Sequence, residues 1–244
     1  MPMTETTHAE SLPTIVLVHG AWADGTSWQH VIPLLARDGF PVIAVQNPLS
    51  SLAADIDTTR RVIQAQDGPV VVVGHSYGGM VMTGAAAGLP NVKALVYIAA
   101  FAPDAGEPIG ALSATYPATR IGSAVVPDAA GYLYIDRAKF HDVFCRDVPD
   151  AEASVMAVVQ KPLHSSIFAA TLETPAWRTI PAWYLVSEDD QTINPDQERF
   201  YAKRMNAKTR EIRSSHVSLV SHPVEVTQLI EDAAHSVAME LVAV

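Results

Sequence analysis

Residues 70–86 read VVVVGHSYGGMVMTGAA, and the order of residue types in this stretch decides the fold. Four valines in a row lack the period-two alternation of a half-exposed strand. Val70–Val73 therefore read as a strand buried on both faces, the kind found inside a parallel sheet. The run from Gly79 onward is small and apolar and suits a helix packed closely on that sheet. Between the two stands G-H-S-Y-G, Gly74 to Gly78, with Ser76 at its centre. So tight a turn brings together the positions two before and two after the serine, where glycine avoids a clash. The serine is left on a strained backbone with its hydroxyl presented at the strand end, over the positive end of a helix dipole. Serine does no packing there, and a G-x-S-x-G between strand and helix marks Ser76 as a candidate nucleophile. A dinucleotide-binding loop needs glycine at 76, and a P-loop needs Gly-Lys-Ser/Thr. Neither is present.

Working outward, short Val/Ile-rich runs alternate with helical patterns. Residues 14–20, 41–46, 69–75 and 94–101 read as buried strands, with 182–187 and 209–214 as weaker ones. Helix-like segments lie near 28–38, 52–66, 78–88, 196–206 and 224–242. This alternation predicts an α/β fold with a mostly parallel, doubly wound sheet of about six strands. The rhythm breaks over 104–178, where prolines, scattered aromatics and helix-like stretches replace buried-strand runs. We read 1–103 and 179–244 as the core and 104–178 as an inserted helical cap.

A serine hydroxyl needs a base, and the base needs an acid to orient it. In a fold of this kind the chain order is serine, acid, histidine. His141 and His164 fall in the cap, and His235 falls inside the terminal helix. His222 precedes Pro223 and looks like a helix start. His216, in SSHVS just past the last strand, is the favoured base, ahead of His222. For the acid, YLVSEDDQTINP offers Glu188, Asp189 and Asp190. Asp190 lies furthest past its strand and is favoured over Asp189. The segment between Asp190 and His216 has room for one helix and one strand, which returns both side chains to one sheet edge. An oxyanion needs two backbone donors. The N–H of Tyr77 is one, and the N–H of Ala21 in the loop HGAWADG is the other, with Trp22 as the alternative. His19 and His75 read as buried structural histidines. Trp22, Trp28 and Phe101 are candidate pocket residues.

Composition narrows the function classes. The chain has 244 residues, of which 49% are hydrophobic, and a formal net charge of −10. That acidity argues against nucleic acid and against an anionic membrane surface as partners. The one cysteine, Cys145, permits no intramolecular disulfide and no cysteine-rich metal cage. The stretch MPMTETTHAESLPT lacks the basic start and apolar run of a secretory leader. A cytoplasmic protein is expected, and a homodimer is left open.

Together, VLVHGAW and the tryptophan that follows it at 28 (16–28), VGHSYGGMV (73–81), YIAAFAPD (97–104), SEDDQTINP (187–195) and SSHVSLVSHP (214–223) resemble the α/β-hydrolase superfamily. The likeness is to its small branch of plant methylesterases, hydroxynitrile lyases and bacterial esterases, and it spans the chain except for the cap. The resemblance implies Ser76, Asp190 and His216 as a catalytic triad, Ala21 and Tyr77 as oxyanion donors, and no cofactor or metal. It implies a small-molecule ester as substrate, and the aromatics of the cap suggest an apolar or aryl one. The lyases of the branch carry lysine directly after the histidine, whereas this chain has Val217, so cyanohydrin cleavage is not expected. Rival readings are a different reaction on the same three residues, or a non-catalytic ligand receptor.

Overall fold

The computed structural model describes residues 12–242. The first eleven residues, which carry most of the stretch read as lacking a leader, lie outside the described residues. Six parallel strands form the main sheet: β1 (Thr14–Val18), β2 (Val42–Ala44), β3 (Val70–His75), β4 (Val92–Ile98), β8 (Ala182–Ser187) and β9 (Lys208–Ile212). Their order is β2-β1-β3-β4-β8-β9. The three strands that fall between β4 and β8 in the chain form a separate sheet. The expected parallel α/β architecture is thus the one observed.

Burial follows the sequence pattern. Every residue of β3 and of β8 is buried, as expected of strands sandwiched between helical layers. The edge strand β9, KTREI, is largely exposed and charged, which blunts an edge that would otherwise template pairing. The helices of the core are α1 (Ile32–Arg37), α2 (Leu52–Gln64), α3 (Tyr77–Ala85), α7 (Pro195–Arg204), α8 (Ser218–Ser221) and α9 (Pro223–Val242). Helix α9 packs on β3, β4 and β8 with α1 beside it, while α3 packs on β1 and β3 with α2 beside it. Ser51 caps α2 by accepting from the Ala54 N–H, and Asn194 caps α7 just before Pro195. His222 stands directly before α9, at the helix start that the His-Pro pair predicts.

Between β4 and β8 the chain leaves the main sheet. The insertion holds α4 (Ile109–Ser113), α5 (Arg137–Phe144) and α6 (Asp150–Val159). It also holds a small antiparallel sheet of β5 (Val125–Pro127), β6 (Tyr132–Ile135) and β7 (Leu163–His164). These strands are two to four residues long and half-exposed, too short for periodicity to mark them. The insertion is therefore mixed, with helices and a minor sheet. Among the described residues no helix is long and apolar enough to cross a membrane.

Candidate active site

Ser76 connects the buried end of β3 to α3 with φ 54 and ψ −126, a left-handed backbone that costs a non-glycine residue energy. The glycines of the motif make this turn feasible. A Cβ on Gly74 would stand 2.7 Å from the Gly78 carbonyl oxygen, so the two close on each other as the spacing predicts. A third glycine matters as much. A Cβ on Gly20 would stand 2.7 Å from Ser76 Cβ and 2.9 Å from the His75 carbonyl oxygen. The loop after β1 thus rests directly against the serine, with Ala21 and the Tyr77 end of α3 beside it in one cavity wall. Among the described residues, neither the Ala21 N–H nor the Tyr77 N–H donates a hydrogen bond. Trp22, the alternative to Ala21, is itself left-handed at φ 57, and its indole N–H donates to the Leu133 carbonyl of β6 at 2.9 Å.

The loop after β8 turns inward at one carboxylate. Asp190 is 1% exposed, and its Oδ1 accepts from the N–H groups of Thr192 (2.6 Å) and Ile193 (3.0 Å). Its Oδ2 accepts from His216 Nδ1 at 2.5 Å, and both side chains are fully buried. That bond assigns the His216 proton to Nδ1. Nε2 is left as the acceptor and has no hydrogen-bond partner among the described residues, so Ser76 and His216 are not hydrogen-bonded to each other here. Asp189 turns outward, half-exposed, 3.8 Å from Arg213. Glu188 is also exposed. His222 is held near Asp147 (3.7 Å) and Ser221 (2.9 Å).

Two histidines brace the site and do not titrate in the ordinary range. His75 Nε2 donates to the His216 carbonyl oxygen at 2.9 Å, and the two rings lie 4.7 Å apart, so the serine turn and the histidine loop are tied together. Burial, and then the neighbouring His216, holds His75 neutral, well below the usual histidine range. His19 Nδ1 donates to the Gly20 carbonyl oxygen and its Nε2 accepts from the Asn47 N–H, which holds the β1 loop. Burial pushes it down to about 4.

Three further residues build the site without any local sequence signal that singled them out. The Tyr77 hydroxyl donates to Asp55 at 2.7 Å, and Asp55 also accepts from the Leu49 N–H, which anchors the start of α3. Asp147, between α5 and α6, accepts from the N–H and hydroxyl of Ser215 and so clamps the insertion to the histidine loop. Glu198 of α7 is completely buried beside Asp190. Its signal is legible afterwards: Glu198 shares a helical stripe with Tyr201, Ala202 and Met205, all buried.

Above Ser76 lies a cavity of about 330 Å³. Ala21, Trp22, Ser76, Tyr77 and Phe101 form its floor. Ile109, Ile121, Val125, Leu163 and Phe168 of the insertion form much of its roof, and Thr192, Asn194 and Gln197 one polar side. No charged side chain lines it. Of the candidate pocket residues, Trp22 and Phe101 line this cavity and Trp28 does not. It is fully buried in the core, because the short helical turn Gly25–Trp28 points the indole inward. Among the described residues no group of three or more His, Cys, Asp or Glu side chains is placed to hold a metal.

Comparison with known proteins agrees with this architecture. The chain is 27% identical to the alpha/beta hydrolase nvfD of Aspergillus novofumigatus, over 91% of this chain and 96% of that one. It is 27% identical to methylesterase 8 of Arabidopsis thaliana, over 76% of this chain and 75% of that one. The fold superposes on the crystal structure of polyneuridine aldehyde esterase with a TM-score of 0.79 at 18% identity, covering 91% of this chain and 98% of that chain. The Alpha/beta hydrolase family model matches residues 15–229, which hold both strand ends and both loops that meet at Ser76, and the chain belongs to that family.

Proposed function

We propose that the protein is a serine carboxylic-ester hydrolase whose catalytic residues are Ser76, His216 and Asp190. The observation that carries the reading is the left-handed Ser76 on the floor of a cavity, together with a histidine that packs on His75, the residue before the serine, and whose Nδ1 proton is committed to a buried carboxylate. His216 Nε2 removes the Ser76 proton as Oγ bonds to the ester carbonyl carbon. Negative charge collects on the carbonyl oxygen, and the free N–H groups of Ala21 and Tyr77 receive it. Asp190 holds the imidazole in the Nδ1–H tautomer and stabilises its cation. His216 then returns the proton to the departing alcohol oxygen as the C–O bond breaks, which leaves an acyl-serine. Water, deprotonated by His216, attacks the acyl carbon, and Oγ leaves with that proton. Nε2 and Oγ come within hydrogen-bond reach in the substrate complex, where catalytic hydrogen bonds commonly tighten.

The insertion, residues 104–178, acts as a lid that sets the substrate. A cavity of about 330 Å³ with an apolar roof and no charged lining selects a small, uncharged, apolar or aryl ester. The similarity to a methylesterase supports the same class. The test is turnover of p-nitrophenyl acetate, with p-nitrophenyl amide and lactone panels alongside. Wild-type protein hydrolyses the ester, and Ser76→Ala and His216→Ala each lower kcat by several orders of magnitude while the melting temperature holds. Near wild-type turnover in Ser76→Ala contradicts the assignment.

A further inference from the structure

The Glu198 carboxyl lies wholly inside the protein, next to the Asp190 carboxyl and one helix away from solvent. Its Oε2 accepts from the Ser187 N–H at 3.1 Å. Its Oε1 is buried with no donor among the described residues. A carboxylate left so is costly, and two adjacent carboxylates cannot both be ionised without compensation. Beyond the Ser187 N–H and a smaller opposing charge from Arg199, little compensates. From β8 the group faces the buried Tyr184 hydroxyl, which is occupied by the backbone of Ala100. From the loop after β8 it faces Asp190. On its own helix the adjacent Arg199 is turned outward and committed to Asp196 and Glu211.

Asp190 has a vacancy of the complementary kind. An ionised carboxylate offers about four acceptor positions. Thr192 and Ile193 take two, and His216 takes a third. One acceptor position on Asp190 and one unpartnered oxygen on Glu198 are both satisfied by a single proton between them. We propose that Glu198 is a positioning residue, which donates a hydrogen bond from its carboxyl O–H to Asp190 and thereby fixes the carboxylate that orients His216. Burial, and after it the Asp190 charge, raises Glu198 well above the ordinary carboxylate range, which favours its protonated form. The pair then holds one negative charge, on the member that touches the imidazole. Glu198 touches neither the substrate nor the cavity and acts through Asp190.

The proposal rests on the triad reading, so its test includes one measurement that needs no turnover. The variants are Glu198→Gln, which keeps a donor, and Glu198→Leu, which removes it. The first readout is the low-field proton resonance of His216 Nδ1–H, observed without substrate. It stays at its wild-type position in Glu198→Gln and shifts or broadens in Glu198→Leu. The second is the pH profile of ester turnover. Glu198→Gln keeps kcat within about threefold of wild type, and Glu198→Leu loses about tenfold or more in kcat with KM unchanged. As the pH is raised through the ionisation of Glu198 the wild type loses activity, and Glu198→Gln does not. A resonance that is the same in all three proteins overturns the proposal. So does a Glu198→Gln that folds yet shifts the resonance and loses kcat by more than tenfold. If Glu198→Leu does not fold, Glu198→Gln decides alone: an unmoved resonance with that decline lost supports the proposal, and anything else refutes it. Absent ester turnover in wild type with an unchanged dependence of the resonance on Glu198 rejects the esterase reading and leaves this one standing.

Discussion

Gly20→Ala tests how closely the β1 loop is held against Ser76. The added Cβ would come within 2.7 Å of Ser76 Cβ and 2.9 Å of the His75 carbonyl oxygen. Ordinary contact begins near 3.4 Å, so about 0.7 Å must be yielded. Neither neighbour is the tip of a flexible side chain. One is the backbone of the turn, and the other sits on a residue already at φ 54. The register Val18↔Gly74 ties the two strands just behind the contact, so the loop and the turn cannot both relax freely. A displacement of about 1 Å at a reacting group costs roughly 100-fold in rate, and each tenfold corresponds to about 1.4 kcal/mol. A 30- to 100-fold drop in kcat/KM is therefore expected, as a rough figure. Overpacking should also cost about 1–3 kcal/mol of stability, a fall of a few to about 10 °C in a domain of this size. Ester kinetics and calorimetric melting measure both. Gly68→Ala is the control, because a Cβ there meets nothing within 4 Å. If Gly20→Ala behaves like Gly68→Ala, the loop has slack and Ala21 is not held in place as argued.

Other outcomes follow from the same geometry. Asp190→Asn should lower kcat by about 10⁴, because the amide no longer enforces the Nδ1–H tautomer, while Asp189→Asn, half-exposed beside Arg213, should change it by less than about twofold; the reverse pattern would move the acid by one residue. Denaturant unfolding from pH 6 to 5 reads three buried groups at once. The folded protein holds His19 at about 4 and His75 well below the ordinary histidine range, so below the ordinary 6.5 the unfolded chain binds a proton at each that the folded one does not. Glu198 has the opposite sign, since the folded chain keeps a proton that the unfolded chain has released above 4.5. The signs oppose, so Glu198 offsets part of the stability that the two histidines lose on acidification. In Glu198→Gln the loss of stability on acidification should become steeper, and an unchanged slope would mean that Glu198 is ionised in the fold. Mandelonitrile cleavage should not exceed the buffer rate. Val217 is 2% exposed, and no cation lines the cavity to collect cyanide. Benzaldehyde release that disappears in Ser76→Ala would contradict this.

What the sequence disclosed was what depends on local spacing. The valine run and the glycine-flanked serine fold as a strand, a strained turn and a helix because each is dictated by its own residues. Asp190 could be told from Asp189 because position past a strand end determines which carboxylate turns inward. The features that escaped reading depend on side chains meeting across long separations. Asp147 reaches Ser215 from 68 residues away, and Asp55 meets Tyr77 from 22. Glu198 lies in PDQERF, among residues that look like a solvated helix, and its burial comes from the packing of α7 on β8. Trp28 carries the same local signal as Trp22, yet a single helical turn sends the one into the core and leaves the other facing the serine. The strands of the insertion are too short and too exposed for alternation to reveal them.

The central claim is that Ser76 Oγ is an activated nucleophile. Incubation with a p-nitrophenyl phosphonate, followed by intact mass and peptide mapping, tests it without reference to any natural substrate. The account predicts that the wild-type protein gains one phosphonyl group on the peptide containing Ser76 and releases one equivalent of p-nitrophenol. His216→Ala should react far more slowly, and Ser76→Ala should gain nothing. An unlabelled wild type, or equal labelling of Ser76→Ala, would contradict it.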